Sequence, residues 1–285
     1  MGAGLESFAA GAGRVGFRFP GLARCPGLRH LLTSRGADGA GNLSLSGGRD
    51  RTAAVAERRF WCRLLGADPA KLVAGGQVHG ADVARIGPTE AGRGAEDPAT
   101  VVPATDALVC TEPGIPLLTV AADCAPVLLY APGPRPAVAV AHAGWRGLAA
   151  GVLPATVAAL AEAAGAPPER LRAGVGPCAG PPHYQVGPEV AAAAPAAAVA
   201  PDPDPDRRQL DLAAWARAEL RAAGLRSEAI EVAGVVPAAD RRFFSHRRDG
   251  PGCGRFGLIA LLAPTRSGRG RNRPPRTKDA RAADG

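Results

Sequence analysis

Three short apolar runs constrain this chain most: residues 116–121 (PLLTVA), 126–130 (PVLLY) and 137–141 (AVAVA). None of them alternates apolar with polar. A strand with one face in water shows a period of two, whereas a strand covered on both faces is apolar throughout. These runs therefore call for layers on both sides of a sheet.

The rest of the sequence supplies material for such layers. Residues 51–66 read as a helix carrying Val55, Leu64 and Leu65 and ended by Gly66. Residues 148–164 read as an alanine-rich helix that Pro154 must start or kink, closed by Gly165 and the Pro167–Pro168 pair. Asp211 is placed to cap a helix running to Ala223, with Gly224 beyond it. Further strands are expected over 172–178, 229–236 and 256–262, and residues 191–206, alanine followed by an Asp-Pro alternation, read as a surface excursion. Strands and helices intermingle without repeat or linker. The expectation is a single domain of the α/β (mixed α+β) class over residues 29–264, preceded by a frayed segment (1–28) and followed by a disordered basic tail (265–285).

The net charge of +8 suggests nucleic acid, but its location argues otherwise. Residues 265–285 hold seven Lys/Arg against two Asp, so five of those eight charges sit in a segment with no apolar residue larger than alanine. Such a segment cannot bury enough surface to order itself. No specific nucleic-acid partner is expected, and a small-molecule substrate fits the nearly balanced remainder. No apolar run reaches the ~18–20 residues of a membrane span, and the N-terminus lacks the apolar stretch of a signal peptide. Six scattered cysteines in a chain of 285 residues do not resemble a disulfide scaffold. A reducing cytoplasm is the expected compartment. Oligomeric state is not legible.

Chemistry concentrates where strands end. Cys124 follows an apolar run in Ala122-Asp123-Cys124-Ala125-Pro126, and His142 follows another in the segment 140–147 (VAHAGWRG). His79 precedes a glycine in residues 77–80 (QVHG). Sites in α/β sheets lie beyond strand termini, and glycine lets backbone approach a ligand closely. Two imidazoles and a thiolate suit zinc and leave a fourth position open. By spacing alone, structural roles for His79 and Cys124 stay open.

The segments QVHG (77–80), TDALV (105–109), ADCAPVLLY (122–130), VAHAGWRG (140–147), GVGPCAGPPHYQVGPEV (174–190) and FFSHRRD (243–249) together resemble the laccase-domain family. That family is also called the peptidoglycan editing factor or multicopper polyphenol oxidase family. The resemblance covers about residues 30–263 and implies a layered sandwich of mixed β-sheets flanked by helices. It implies one zinc held by His79, Cys124 and His142, which are then the catalytic residues too. It further implies phosphorolysis of adenosine, inosine, guanosine or methylthioadenosine, with possible adenosine deamination.

The family's other descriptions give alternatives: an editing hydrolase acting on peptidoglycan precursors with Cys124 as nucleophile, or a polyphenol oxidase. A third reading is a non-enzymatic binding protein working through its basic tail. Zinc has no redox chemistry and the chain lacks the several His-rich sets of a multicopper centre, so copper and oxidase activity rank low. Phosphorolysis needs cationic groups to meet phosphate. Arg58, Arg146, Arg247 and Arg248 are the candidates. Each also has a plainer reading: Arg58 as a solvated helix face, Arg146 stacked on Trp145, and one of Arg247/Arg248 paired with Asp249. Asp123 and Asp106 could each orient a ligand or serve a turn, and Cys178 should pack against the sheet. Two departures from the family pattern bear on substrate. Residues 42–46 read Asn-Leu-Ser-Leu-Ser, so the family's asparagine falls on Ser44, a further substrate contact, and the usual Asn-Arg of the first helix becomes Glu57-Arg58.

Overall fold

A computed structural model describes residues 4–263 of the chain. One six-stranded sheet runs β1 (Glu6–Gly11), β2 (Arg14–Arg18), β3 (Leu28–Leu32), β15 (Phe256–Leu262), β7 (Leu117–Ala121), β4 (Val73–Ala74). The second runs β14 (Ile230–Val232), β10 (Arg172–Val175), β8 (Ala125–Ala131), β9 (Ala137–Ala143), β6 (Ala107–Cys110), β5 (Val83–Ile86). Both sheets mix parallel and antiparallel pairs. A small third sheet joins β11 (Gln185–Val186), β13 (Arg208–Leu210) and β12 (Val199–Pro201).

The absent alternation of the apolar runs has a direct cause. In β8 and β9, Val127, Leu129, Ala139 and Ala141 face a helical layer, while Leu128, Tyr130, Val138 and Val140 face the first sheet. The helical layer is α4 (Val152–Ala164) and α6 (Leu212–Ala222), which contribute Val157, Leu160, Trp215 and Leu220. Between the sheets, Leu32, Leu117, Phe256 and Leu258 meet Leu128 and Val140. The outer face of the first sheet, through Leu31, Leu118, Ile259 and Leu261, is covered by Trp61 and Cys62 of α2 (Arg51–Leu64). The order is helix, sheet, sheet, helix. This is the layered mixed sandwich expected, and both sheets of it are buried on two faces.

Aspartates open two of the helices, Asp211 as expected. Asp50 accepts the N–H of Ala53 at 3.0 Å to open α2, and Asp211 accepts that of Ala214 at 2.9 Å to open α6. The helix expected over 148–164 is instead two. α3 (Trp145–Ala149) stops before Gly151, whose φ of 84° leaves the helical region, and α4 then starts with Pro154 in its first turn. The strand expected over 229–236 shortens to β14.

One other expectation is corrected. The N-terminal segment is not frayed: β1 and β2 form a hairpin, followed by α1 (Pro20–Ala23). Its sparse large side chains do the anchoring, for Phe17, Phe19 and Leu22 are almost fully buried. The Phe19 N–H also donates to the buried His30 ring at 3.0 Å. Burial pushes His30 down to about 4, so it stays a neutral acceptor. The 191–206 segment lies largely at the surface as expected, given local order by the end of α5 (Pro188–Ala193) and by β12 pairing with β13. The basic tail lies outside the described residues.

Candidate metal centre and its cavity

Cys124 occupies the tight connection between β7 and β8, entered through Asp123 at φ 92°. His142 stands near the end of β9, opposite Pro126 of β8. The strand runs two residues further than expected, so His142 belongs to it rather than following it. Antiparallel pairing of β8 with β9 thus brings the beginning of one strand beside the end of the other. His79 comes from the loop between β4 and β5, at φ 62°. Gln77 pins that loop to β7: its side chain donates to the Val120 carbonyl at 2.8 Å and accepts the Val120 N–H at 2.9 Å.

The ligand-type atoms of His79, Cys124 and His142 lie within 4.8 Å of one another. Among the described residues they are the one His/Cys/Asp/Glu group so arranged. The two imidazoles stand edge to face, ring centres 4.9 Å apart. Gly144 makes this approach feasible, since a β-carbon there would sit 2.8 Å from the Cys124 sulfur and 3.0 Å from His79 Cδ2.

Asp106 holds the constellation together. Its Oδ1 lies 2.9 Å from His142 Nδ1 and accepts the His79 N–H at 3.0 Å; its Oδ2 accepts the N–H groups of Val78 and Gly80 at 3.1 and 2.8 Å. Burial opposes its charge, but the His142 contact and these amides outweigh burial and lower its pKa. Burial opposes the Cys124 thiolate as well; His142 and His79 prevail and bring it down to about 6. His142, raised by Cys124 and Asp106 against its burial, reaches about 9. The two shifts run in the direction of a thiolate beside a protonated imidazole. Donors of this kind fit a divalent ion that prefers nitrogen and sulfur, and Asp106 supplies the outer hydrogen bond that fixes a ligating imidazole's tautomer.

The donors open on a cavity of about 890 Å³. Ser44, Arg58, Arg146 and Arg247 all line it. Arg248 does not: its guanidinium pairs with Asp249 and donates to the carbonyls of Phe243, Pro237 and Asp240. It is the ion-pair partner of the Arg247/Arg248 pair, and the expected substrate contact at Arg248 is corrected. Arg58 is no solvated face, being 5% exposed with its guanidinium on the carbonyls of Leu43, Gly94 and Ala95. Arg146 stacks on Trp145 at 4.5 Å while facing the cavity. Arg247 lies over Tyr184 at 5.2 Å, and its N–H donates to Asp123 Oδ2 at 2.7 Å. Asp123 therefore ties the 245–249 turn to the Cys124 turn, and it is Asp106 that orients a metal-type ligand. Cys178 is buried against the helical layer, its thiol raised far above the ordinary range by burial.

Sequence reasoning missed Arg49, Arg255, Gln77 and Tyr184 on the cavity wall. Gln77 and Tyr184 sit inside recognised motifs, and Arg255 follows a glycine at the start of β15. Arg49, in a Gly-Gly-Arg-Asp turn, carried no local signal.

Comparison with known proteins gives a consistent result. Residues 28–263 match the family model described as multi-copper polyphenol oxidoreductase laccase. The chain is 34% identical over 235 residues to purine nucleoside phosphorylase YlmD of Geobacillus stearothermophilus, covering 80% of this chain and 85% of that one. It is 40% identical over 210 residues to purine nucleoside phosphorylase SCO2081 of Streptomyces coelicolor, covering 73% of this chain and 82% of that one. The crystal structure of YlmD from Geobacillus stearothermophilus superposes with a TM-score of 0.82 at 31% identity, over 90% of this chain and 98% of that one.

Proposed function

The chain belongs to the multi-copper polyphenol oxidoreductase laccase family, and on that footing we propose that it is a zinc-dependent purine nucleoside phosphorylase. Its substrates are purine nucleosides of the adenosine, inosine, guanosine and methylthioadenosine kind together with phosphate, and deamination of adenosine is a side activity. The observation that carries the reading is a His-Cys-His donor set opening on a cavity lined by five arginines and a single carboxylate, Asp123. Such a wall suits an anionic co-substrate beside a polar, uncharged one.

His79, Cys124 and His142 would hold the zinc, which supplies Lewis acidity at its open position. The protein's own contribution is orientation. Asp106 sets the His142 ring and the His79 backbone together, and Arg146 and Arg247 offer cations at the cavity mouth. Breaking a glycosidic bond leaves a sugar-centred cation, which a neighbouring phosphate anion stabilises and then traps. The oxidase reading is weaker. The chain has five histidines, of which His30 is committed to the Phe19 amide and two serve the single donor set.

A second reading has a specific observation behind it. Asp106, His142 and Cys124 form an acid–imidazole–thiolate series of the kind that activates a cysteine nucleophile, which would serve peptidoglycan-precursor editing. Six free thiols and no described helix able to cross a membrane are compatible with a cytoplasmic setting for either activity.

Product analysis from inosine, adenosine and methylthioadenosine, with and without inorganic phosphate, tests the proposal. Sugar 1-phosphate and free base are expected only with phosphate. Free ribose in phosphate buffer would point to hydrolysis, and intact nucleosides with a fully loaded metal site would favour the editing reading.

A further inference from the structure

Nine arginines among the described residues meet a carboxylate in an ion pair: Arg14, Arg18, Arg35, Arg51, Arg59, Arg85, Arg226, Arg242 and Arg248. On one wall of the cavity three others come together without one. Arg49, Arg58 and Arg255 line it together, and among the described residues none has a carboxylate partner. Arg58 is nearly fully buried and meets only carbonyls. Arg49 meets the carbonyls of Cys253, Ser46 and Pro251. Arg255 bonds within its own turn through Nη1, and among the described residues its Nε and Nη2 have no protein acceptor.

Gathering three cations without an anion is costly, since burial and mutual repulsion both oppose their charge. That cost is visible at Arg58, which burial pulls down to about 10, and at Arg49, lowered by burial and by Arg255. The two serines of the same wall are held in register. Asn42 accepts the N–H groups of Ser44 and Arg255 at 3.0 and 2.9 Å, and Ser44 Oγ lies 3.1 Å from Ser46 Oγ. One asparagine thus fixes a hydroxyl pair beside a guanidinium.

We propose that Arg49, Arg58 and Arg255, with Ser44 and Ser46, form an oxyanion subsite for a phosphate group, built from segments that contribute none of the metal-type donors. Guanidinium forks and hydroxyls are the usual partners of a phosphate dianion, and here they need no rearrangement of charge to receive one. The phosphate has two possible sources: inorganic phosphate as co-substrate, or a phosphoryl group carried by the substrate. As a co-substrate site it rests on the phosphorolytic reading; as an oxyanion site it is tested without turnover.

The test is calorimetric titration of the metal-loaded protein with inorganic phosphate, and separately with a purine nucleoside 5′-monophosphate. Arg49→Gln and Arg255→Gln should each weaken binding roughly tenfold or more, with metal content and melting temperature measured alongside. Arg49→Lys should recover part of the loss, because it keeps the charge while losing the fork, which a purely structural role for the fork would not predict. Weakened inorganic phosphate binding identifies the co-substrate. Weakening confined to the monophosphate identifies a phosphorylated substrate. Variants that keep their fold and bind both anions as the unaltered protein does would overturn the subsite, whatever the nucleoside assays give.

Discussion

His142 Nδ1 lies 2.9 Å from Asp106 Oδ1, and the same oxygen accepts the backbone N–H of His79 at 3.0 Å. One carboxylate therefore positions two of the three metal-type ligands, one through its ring and the other through its peptide. Asp106→Asn keeps the shape and one acceptor oxygen but loses the negative charge facing His142, and its amide nitrogen cannot accept the Val78 and Gly80 N–H groups. We expect metal affinity to fall ~10–100-fold with the fold intact. Competition with a chelator, read against circular dichroism, measures it; unchanged affinity would separate Asp106 from the site.

The metal assignment itself is tested at Cys124. The two histidines bring the thiol down to about 6, which favours the thiolate, the anionic member of the set. Cys124→Ala should leave less than one equivalent of zinc after dialysis against chelator. A full equivalent retained would place the ion elsewhere.

Gly144 gives a steric test independent of donor chemistry. A methyl group there would lie 2.8 Å from the Cys124 sulfur and 3.0 Å from the His79 ring. Gly144→Ala should therefore lower metal content while its backbone, at φ −79°, accommodates alanine without strain. If stoichiometric metal survives, the two donors have more freedom than their packing implies.

Stability should depend on pH through Glu219, on α6. Its Oε1 accepts the Trp215 indole N–H at 2.8 Å, its Oε2 is buried without a partner, and burial raises its pKa to about 7. The folded chain then holds this proton while the unfolded chain releases it near 4.5. Stability is full below that value, falls as pH rises towards 7, and stays reduced above it. Glu219→Gln keeps the indole acceptor and removes the charge, so its melting temperature should exceed the parent's at pH 8 and not at pH 4. Melting curves that stay parallel across that range would show that Glu219 ionises without cost.

What the sequence determined by itself was whatever depends on neighbours in the chain. Uninterrupted apolar runs required strands covered on both faces, Asp211 could cap its helix within three residues, and strand-end motifs marked His79, Cys124 and His142. Tertiary structure decided whatever depends on a partner far along the chain. Arg247 and Arg248 are adjacent and chemically identical, yet Arg247 faces the cavity with its amide on Asp123, while Arg248 is tied to its own loop. Asp106 rather than Asp123 became the ligand's anchor because β6 pairs with β9, setting the carbonyl of Asp106 on the amide of His142 and its carboxylate beside the ring. The N-terminal hairpin followed the same rule. Few of its residues carry large apolar side chains, but Phe17 and Phe19 enter a core built by strands elsewhere in the chain, and burial against distant elements is a free energy that local composition cannot report.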